Sequence, residues 1–305
     1  MALPPPEIVL TLPGFPDPVV AIAACRAGAL GVLDLEYERS TARAADALRK
    51  LQQHARAGFG VKLDPSAEAF TRAIISALPH ETQFAILTGN DPAAIASTAR
   101  YLADRGVAFL LEALSEDDAG LARELGAAGV IAKGLEAGGR TGSDTTFILI
   151  QRILASMEKT REKTRPLPVW AQGGIGSHTA AACIQAGAAG VVLDWQLALT
   201  REASASRALP EKLRDRIRAM DGSETACLGE TLGASTRLFL RPGVAAADKL
   251  ARVEADLIAA GPGPDAAKTF REAVLAAAGA EDPEKRAGLT GQDAAFAARL
   301  AARHL

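Results

Sequence analysis

A (β/α)8 TIM barrel followed by a C-terminal helical appendage is the α/β fold that this 305-residue sequence predicts. Three observations carry the prediction. Short apolar runs alternate with helical patterns through the first 200 residues, the signature of βα units with right-handed crossovers and a parallel sheet. Eight such runs occur, the number that closes a barrel. Three segments, Cys25–Asp34, Leu125–Lys133 and Ile184–Asp194, share one order: helix end, Gly, small spacer, Gly, β-branched run. An open doubly wound sheet is the alternative.

The predicted strands are Ile8–Leu12, Leu30–Leu35, Gly60–Leu63, Gln83–Leu87, Val107–Leu111, Val130–Lys133, Val169–Gln172 and Val191–Asp194. Each is short and nearly continuous in apolar residues, as a strand covered on both faces should be. Helical patterns fall between them at Asp17–Ala27, Thr41–Ala57, Ala67–Leu78, Pro92–Arg105, Glu116–Leu125, Asp144–Met157 and Ser177–Ala186. Residues 1–200 thus make the barrel. Residues 201–243 read as an extension with a charged helix at Pro210–Met220 and a short strand at Ser235–Leu240, closed by a break at Arg241-Pro242-Gly243. Residues 244–305 are Ala-rich and helical in three pieces, divided near Gly261–Pro264 and Asp282-Pro283. The last pattern, Gln292–Leu305, runs uncapped to the end of the sequence, as in a piece of a longer polypeptide.

Composition narrows the function classes. A hydrophobic content of 49% supports a large core, and a net charge of -2 with no long Lys/Arg run argues against nucleic acid and anionic membranes. Three widely spaced cysteines, Cys25, Cys183 and Cys227, fit neither a disulfide framework nor a metal site. The first residues lack a signal-peptide pattern and no apolar run spans a bilayer, so a cytoplasmic setting is expected.

Barrel chemistry sits at the strand C-termini. The loop after the sixth strand, Gly134-Leu135-Glu136-Ala137-Gly138-Gly139-Arg140-Thr141-Gly142, leads into a helix. Its glycines allow close backbone approach to a ligand, and the helix offers N–H groups to an anion. Lys62 and Lys133 end strands, either facing a ligand or as solvated caps. Glu136 and Arg140 stand four apart, spaced for an ion pair. Gly173 and Gly174 shape a turn suited to a phosphate, followed by His178 in an exposed first helical turn. Cys183 reads as a small core residue and Trp195 as a group that stacks on a ligand or plugs the pocket.

The glycine-rich loop, Val169-Trp170-Ala171-Gln172-Gly173-Gly174-Ile175 and Ala186-Gly187-Ala188-Ala189-Gly190-Val191 together resemble the nitronate monooxygenase family, which includes FMN-dependent enoyl-acyl carrier protein reductases. The resemblance covers about Ile8–Thr200 and is nearest to copies embedded in type I polyketide or polyunsaturated fatty acid synthases. It implies an FMN-dependent oxidoreductase acting on an enoyl thioester or nitronate-like substrate, small or bound to acyl carrier protein, beside neighbouring synthase domains. Gly138, Gly139, Gly173, Gly174, Asp194 and Trp195 would hold the cofactor, and Lys62, Lys133, Glu136 and Arg140 would face the substrate.

The chain departs from the family pattern at those positions. Arg140 stands where the family has an acid/base histidine, and arginine cannot accept a proton from a nitroalkane. Enoyl reduction demands no such base. Asp194-Trp195 replaces a Gly-Thr pair and puts a carboxylate where the phosphate would lie, a repulsion of about 1 kcal/mol per charge pair in water and more when partly buried. Lys62 and Lys133 replace an Asn and a Gln. Two further readings follow: a degenerate flavin-free barrel serving as a structural or docking module, and a flavin-free lyase or decarboxylase with a basic pocket.

Overall fold

The repeated Gly-spacer-Gly segments show how the chain builds its βα units. Gly28 ends the first helix at φ 93°, left-handed backbone that L side chains rarely adopt, and its N–H caps the carbonyls of Ala24 and Cys25. Gly31, the second residue of the following strand, has no room to spare: a Cβ there would lie 2.1 Å from the Ala21 carbonyl oxygen. One glycine turns the chain and the next lets helix and strand backbones touch.

The computed structural model describes residues 4–159, 167–206, 209–240, 244–261, 263, 265–280, 282 and 285–302. Its elements are β1 (Glu7–Leu10), α1 (Val19–Ala27), β2 (Leu30–Asp34), α2 (Thr41–His54), β3 (Phe59–Leu63), α3 (Glu68–Ser76), β4 (Thr82–Leu87), α4 (Pro92–Asp104), β5 (Ala108–Ala113), α5 (Glu116–Glu124), β6 (Gly129–Lys133), β7 (Gly139–Arg140), α6 (Thr146–Lys159), β8 (Val169–Gln172), α7 (Ser177–Gln185) and β9 (Gly190–Leu193). There follow α8 (Arg201–Ser206), α9 (Glu211–Ala219), β10 (Thr225–Leu228), β11 (Thr236–Phe239), α10 (Ala245–Ala259), α11 (Ala266–Ala278) and α12 (Ala297–Ala302), the last preceded by a 3-10 turn at Gln292–Phe296.

Strands β1, β2, β3, β4, β5, β6, β8 and β9 close into a parallel barrel in that order, β9 pairing with β1. The eight predicted strands are these eight. Their side chains divide by the two-residue period of a strand. Ile8, Leu10, Leu30, Val32, Phe84, Ile86, Leu110, Ile131, Trp170 and Val192 fill the barrel, while the alternate set packs outward against the helices.

Three features extend the predicted plan. Gly139-Arg140, read from sequence as part of a loop, pairs antiparallel with β11, which also pairs with β10, giving a second three-stranded sheet. That sheet and helices α10 and α11 enclose a second core around Phe270, Leu238 and Leu289, which reaches Tyr37 beside the barrel. The chain then returns over the barrel mouth through residues 287–296. The breaks placed at Arg241-Pro242-Gly243, Pro262, Pro264 and Pro283, and the final residues 303–305, lie outside the described residues. No helix among the described residues is long and apolar enough to cross a membrane.

Candidate functional site: a charged barrel mouth

Strand alternation also dictates what stands at the mouth. Two residues beyond the inward-facing Val32, Ile86, Leu110, Ile131, Trp170 and Val192 come Asp34, Thr88, Glu112, Lys133, Gln172 and Asp194, and Lys62 follows Gly60 in the same way. The strand period therefore aims seven polar side chains into one layer above the apolar interior. All of them are buried; Lys62 and Lys133 keep 1% of their surface and Asp194 keeps none. The solvated-cap reading of the two lysines is thereby corrected.

Burying ammonium groups is tolerable only with partners. Lys62 Nζ lies 2.7 Å from Glu36 Oε2, 2.7 Å from Glu112 Oε2 and 3.7 Å from Asp34 Oδ2. Lys133 Nζ lies 3.4 Å from Glu112 Oε2, and Arg140 Nη2 lies 3.2 Å from Glu112 Oε1. Arg140 and Glu112 also share Thr88, whose hydroxyl donates to Glu112 at 2.9 Å and accepts from Arg140 at 2.8 Å. Among the described residues Glu112 is thus the one carboxylate that touches all three cations.

Titration follows from this packing. Burial alone would raise the Glu112 carboxyl, but Lys133, Lys62 and Arg140 outweigh it and hold it well below the usual carboxylate range. Burial would lower Lys62; its three carboxylates raise it well above the ordinary value instead. Lys133 goes the other way, pushed down by burial and by Lys62 and Arg140 against the pull of Glu112. Burial pushes Asp34 up to about 6 against the attraction of Lys62.

The positions expected to hold FMN can be tested by asking what fills the space beside each glycine. A Cβ on Gly138 would lie 2.2 Å from the Leu289 carbonyl oxygen, and one on Gly139 would lie 2.6 Å from the Tyr37 hydroxyl. A Cβ on Gly173 would meet Thr146 Oγ1 at 2.8 Å and Ala137 N at 2.9 Å, and at Gly174 the neighbour is the Glu136 side chain at 3.4 Å. The chain itself occupies the space beside Gly138, Gly139 and Gly173, while at Gly174 the neighbour is at ordinary contact distance. Trp195 is fully buried, edge-on to Phe15 with ring centroids 6.3 Å apart, and its Nε1 donates to the Leu289 carbonyl at 2.8 Å. Gln292 N donates to the Glu136 carbonyl at 2.8 Å, locking the returning segment to the glycine-rich loop. These residues, in this closed arrangement, do not fit a flavin phosphate or ring.

Beneath that segment sits a pair of acids. Asp194 accepts from its own Trp195 N–H and from Gln172 Nε2 at 3.1 Å. Asp293, fully buried on the returning segment, receives no donor from another described residue at either oxygen, and burial together with the facing Asp194 raises its pKa well above the ordinary value. A neutral Asp293 donating its proton to Asp194 satisfies both observations. An acid raised in this way favours folding most below the unfolded value near 4, and stability falls as pH climbs towards the raised value, by up to about 1.4 kcal/mol per pH unit. Asp293→Asn, which stays neutral and still donates, should be more stable than the parent at pH 8, with the two converging near pH 4 in urea unfolding. Parallel profiles would refute the shared proton.

The structure brings Lys62, Lys133 and Arg140 into one cluster, and places Glu136 elsewhere. Its carboxylate accepts from Thr146 N at 2.8 Å and Thr146 Oγ1 at 3.0 Å, capping the start of α6. The ion pair suggested by the Glu136–Arg140 spacing does not form, because Arg140 lies in β7 and turns inward to Glu112. His178 is exposed and Cys183 buried, as read from the pattern. Sequence reasoning placed Asp34, Glu36 and Glu112 at the strand C-termini without giving them a role, and did not single out Asp293. Strand alternation carried the signal for Asp34 and Glu112.

The nitronate monooxygenase family model matches residues 40–221, which is more than half of the chain. The chain belongs to the nitronate monooxygenase family. Among solved structures, FabK from Thermotoga maritima is 22% identical with a TM-score of 0.74, covering 97% of this chain and 88% of that one. Nitroalkane oxidase from Streptomyces ansochromogenes is 20% identical with a TM-score of 0.65, covering 97% of this chain and 91% of that one. Both likenesses are of fold. No curated protein sequence matches the chain. This family member thus keeps the barrel while closing its mouth with its own C-terminal residues.

Proposed function

We propose that this member of the nitronate monooxygenase family is a flavin-free barrel that serves as a structural or docking module beside neighbouring synthase domains. One observation supports the reading: residues 287–296 pack against the glycine-rich loop that the family resemblance would assign to a cofactor, over a mouth whose buried cations are paired with carboxylates. Three cations, Lys62, Lys133 and Arg140, face three acids, Asp34, Glu36 and Glu112, and Asp194 is buried in the same layer, so the mouth holds no excess of positive charge for an acidic substrate. Arg140 in place of the family's histidine agrees with a barrel released from proton abstraction. The sequence resemblance to barrels within large synthases supports the neighbouring-domain setting.

The family itself favours a second reading, an FMN-dependent oxidoreductase acting on an enoyl thioester, carrier-bound or free, or on a nitronate. It requires residues 287–296 to leave the mouth. Thermal unfolding with added FMN separates the two. A ligand at a thousand times its Kd stabilises a folded protein by about 4 kcal/mol. The flavin-free reading expects no change in Tm at saturating FMN, whereas a rise of several degrees would replace it with the oxidoreductase.

A further inference from the structure

A concavity opens beside the second core, with Gly288 of the returning segment in its wall. Helices α9, α10 and α11 and strand β11 surround a cleft of about 560 Å3, within the size range of small-ligand sites. Its floor is apolar, with Leu213, Phe239, Val244, Leu250 and Val253, and one wall is kept low by the alanines of α11. Five cationic side chains line it: Lys212, Arg216, Lys249, Lys285 and Arg286. No Asp or Glu lines it among the described residues.

These charges are largely uncommitted. Lys212, Arg216 and Lys249 make no ion pair among the described residues, Arg216 resting over the Phe239 ring at 5.7 Å. Lys285 pairs with the exposed Asp282 at 3.5 Å. Arg286 is held by backbone carbonyls, Ala280 and Gly14 each at 2.7 Å, and stands over the Phe15 ring, with Glu38 and Asp282 acting on it only at longer range among the described residues. An apolar slot ringed by one sign of charge selects for a ligand with an apolar body and an anionic end.

We propose that this cleft binds an anionic amphiphile, a single aliphatic chain ending in a carboxylate or phosphate. The chain covers Leu213, Phe239, Leu250 and Val253, and the head group meets Lys212, Arg216 and Lys249 at the rim. None of the residues expected to hold flavin lines the cleft, so its test stands or falls separately from the proposed function.

Titration calorimetry of the whole chain with dodecanoate, dodecyl phosphate and uncharged dodecanol, each kept below micelle formation, tests it. One anionic molecule is expected to bind per chain, with Kd of about 1–100 μM and at least about tenfold tighter than dodecanol. A preference for dodecanoate identifies a free fatty acid as the source, and one for dodecyl phosphate a phosphate-bearing carrier or lipid. The exposed double variant Lys212→Glu/Lys249→Glu should weaken binding about tenfold or more, and rising salt should weaken binding to the parent. Ala276→Trp, at an exposed lining position, should obstruct the cleft while leaving the charges in place. Equal binding of dodecanol, binding indifferent to both variants, or no saturable binding would overturn the proposal. So would an acidic amphipathic peptide that saturates the cleft when neither amphiphile does.

Discussion

Glu112→Ala is expected to destabilise the protein by about 3–5 kcal/mol, the usual cost of removing one partner from a buried charge network. Glu112 keeps 2% of its surface and contacts Lys62, Lys133 and Arg140, so its loss strands positive charge where water cannot reach. Folded domains are typically stable by only about 5–15 kcal/mol, so the variant should lose a large part of its margin. Lys133→Met provides the contrast. The Lys133 amine is already pushed down by burial, has its closest carboxylate at 3.4 Å, and leaves Glu112 still paired with Lys62 and Arg140. That variant should be neutral or more stable at pH 7. Chemical denaturation of both decides the matter, and equal losses would show that Glu112 is not the hub.

Trp195→Ala should cost about 3–5 kcal/mol through the cavity it leaves beneath the returning segment. It should also release that segment, because Trp195 Nε1 is the donor to the Leu289 carbonyl. Limited proteolysis would then cut near residues 287–296 before the barrel unfolds. Trp195→Phe separates packing from the hydrogen bond. It keeps most of the apolar contact with Phe15 but leaves the buried Leu289 carbonyl without this donor, at a cost of about 1–3 kcal/mol. A wild-type cleavage pattern in Trp195→Ala would mean that the segment is held by something else.

The barrel was legible because its signals are local. Gly28 and Gly31 are needed by the turn and by the contact with Ala21, and alternation along β2, β5 and β6 sorts core from mouth. The closure of the mouth was not legible. It depends on contacts 94 residues or more apart in sequence, made by backbone groups such as Leu289 O and Gln292 N that no side-chain pattern announces. Strand β7 escaped for the same reason, since Gly139 and Arg140 pair with β11 through the main chain. Lys62 and Lys133 were recognisable as strand ends, but only the chain folded over them distinguishes a buried network from solvated caps.

The visible absorption spectrum of the purified whole chain, alone and after equilibration with excess FMN and removal of free ligand, tests the closed mouth most directly. A barrel filled by Trp195, Leu289 and the loop around Gly138 should remain colourless in both states. A stoichiometric flavin spectrum would contradict the account, placing FMN where residues 287–296 now lie.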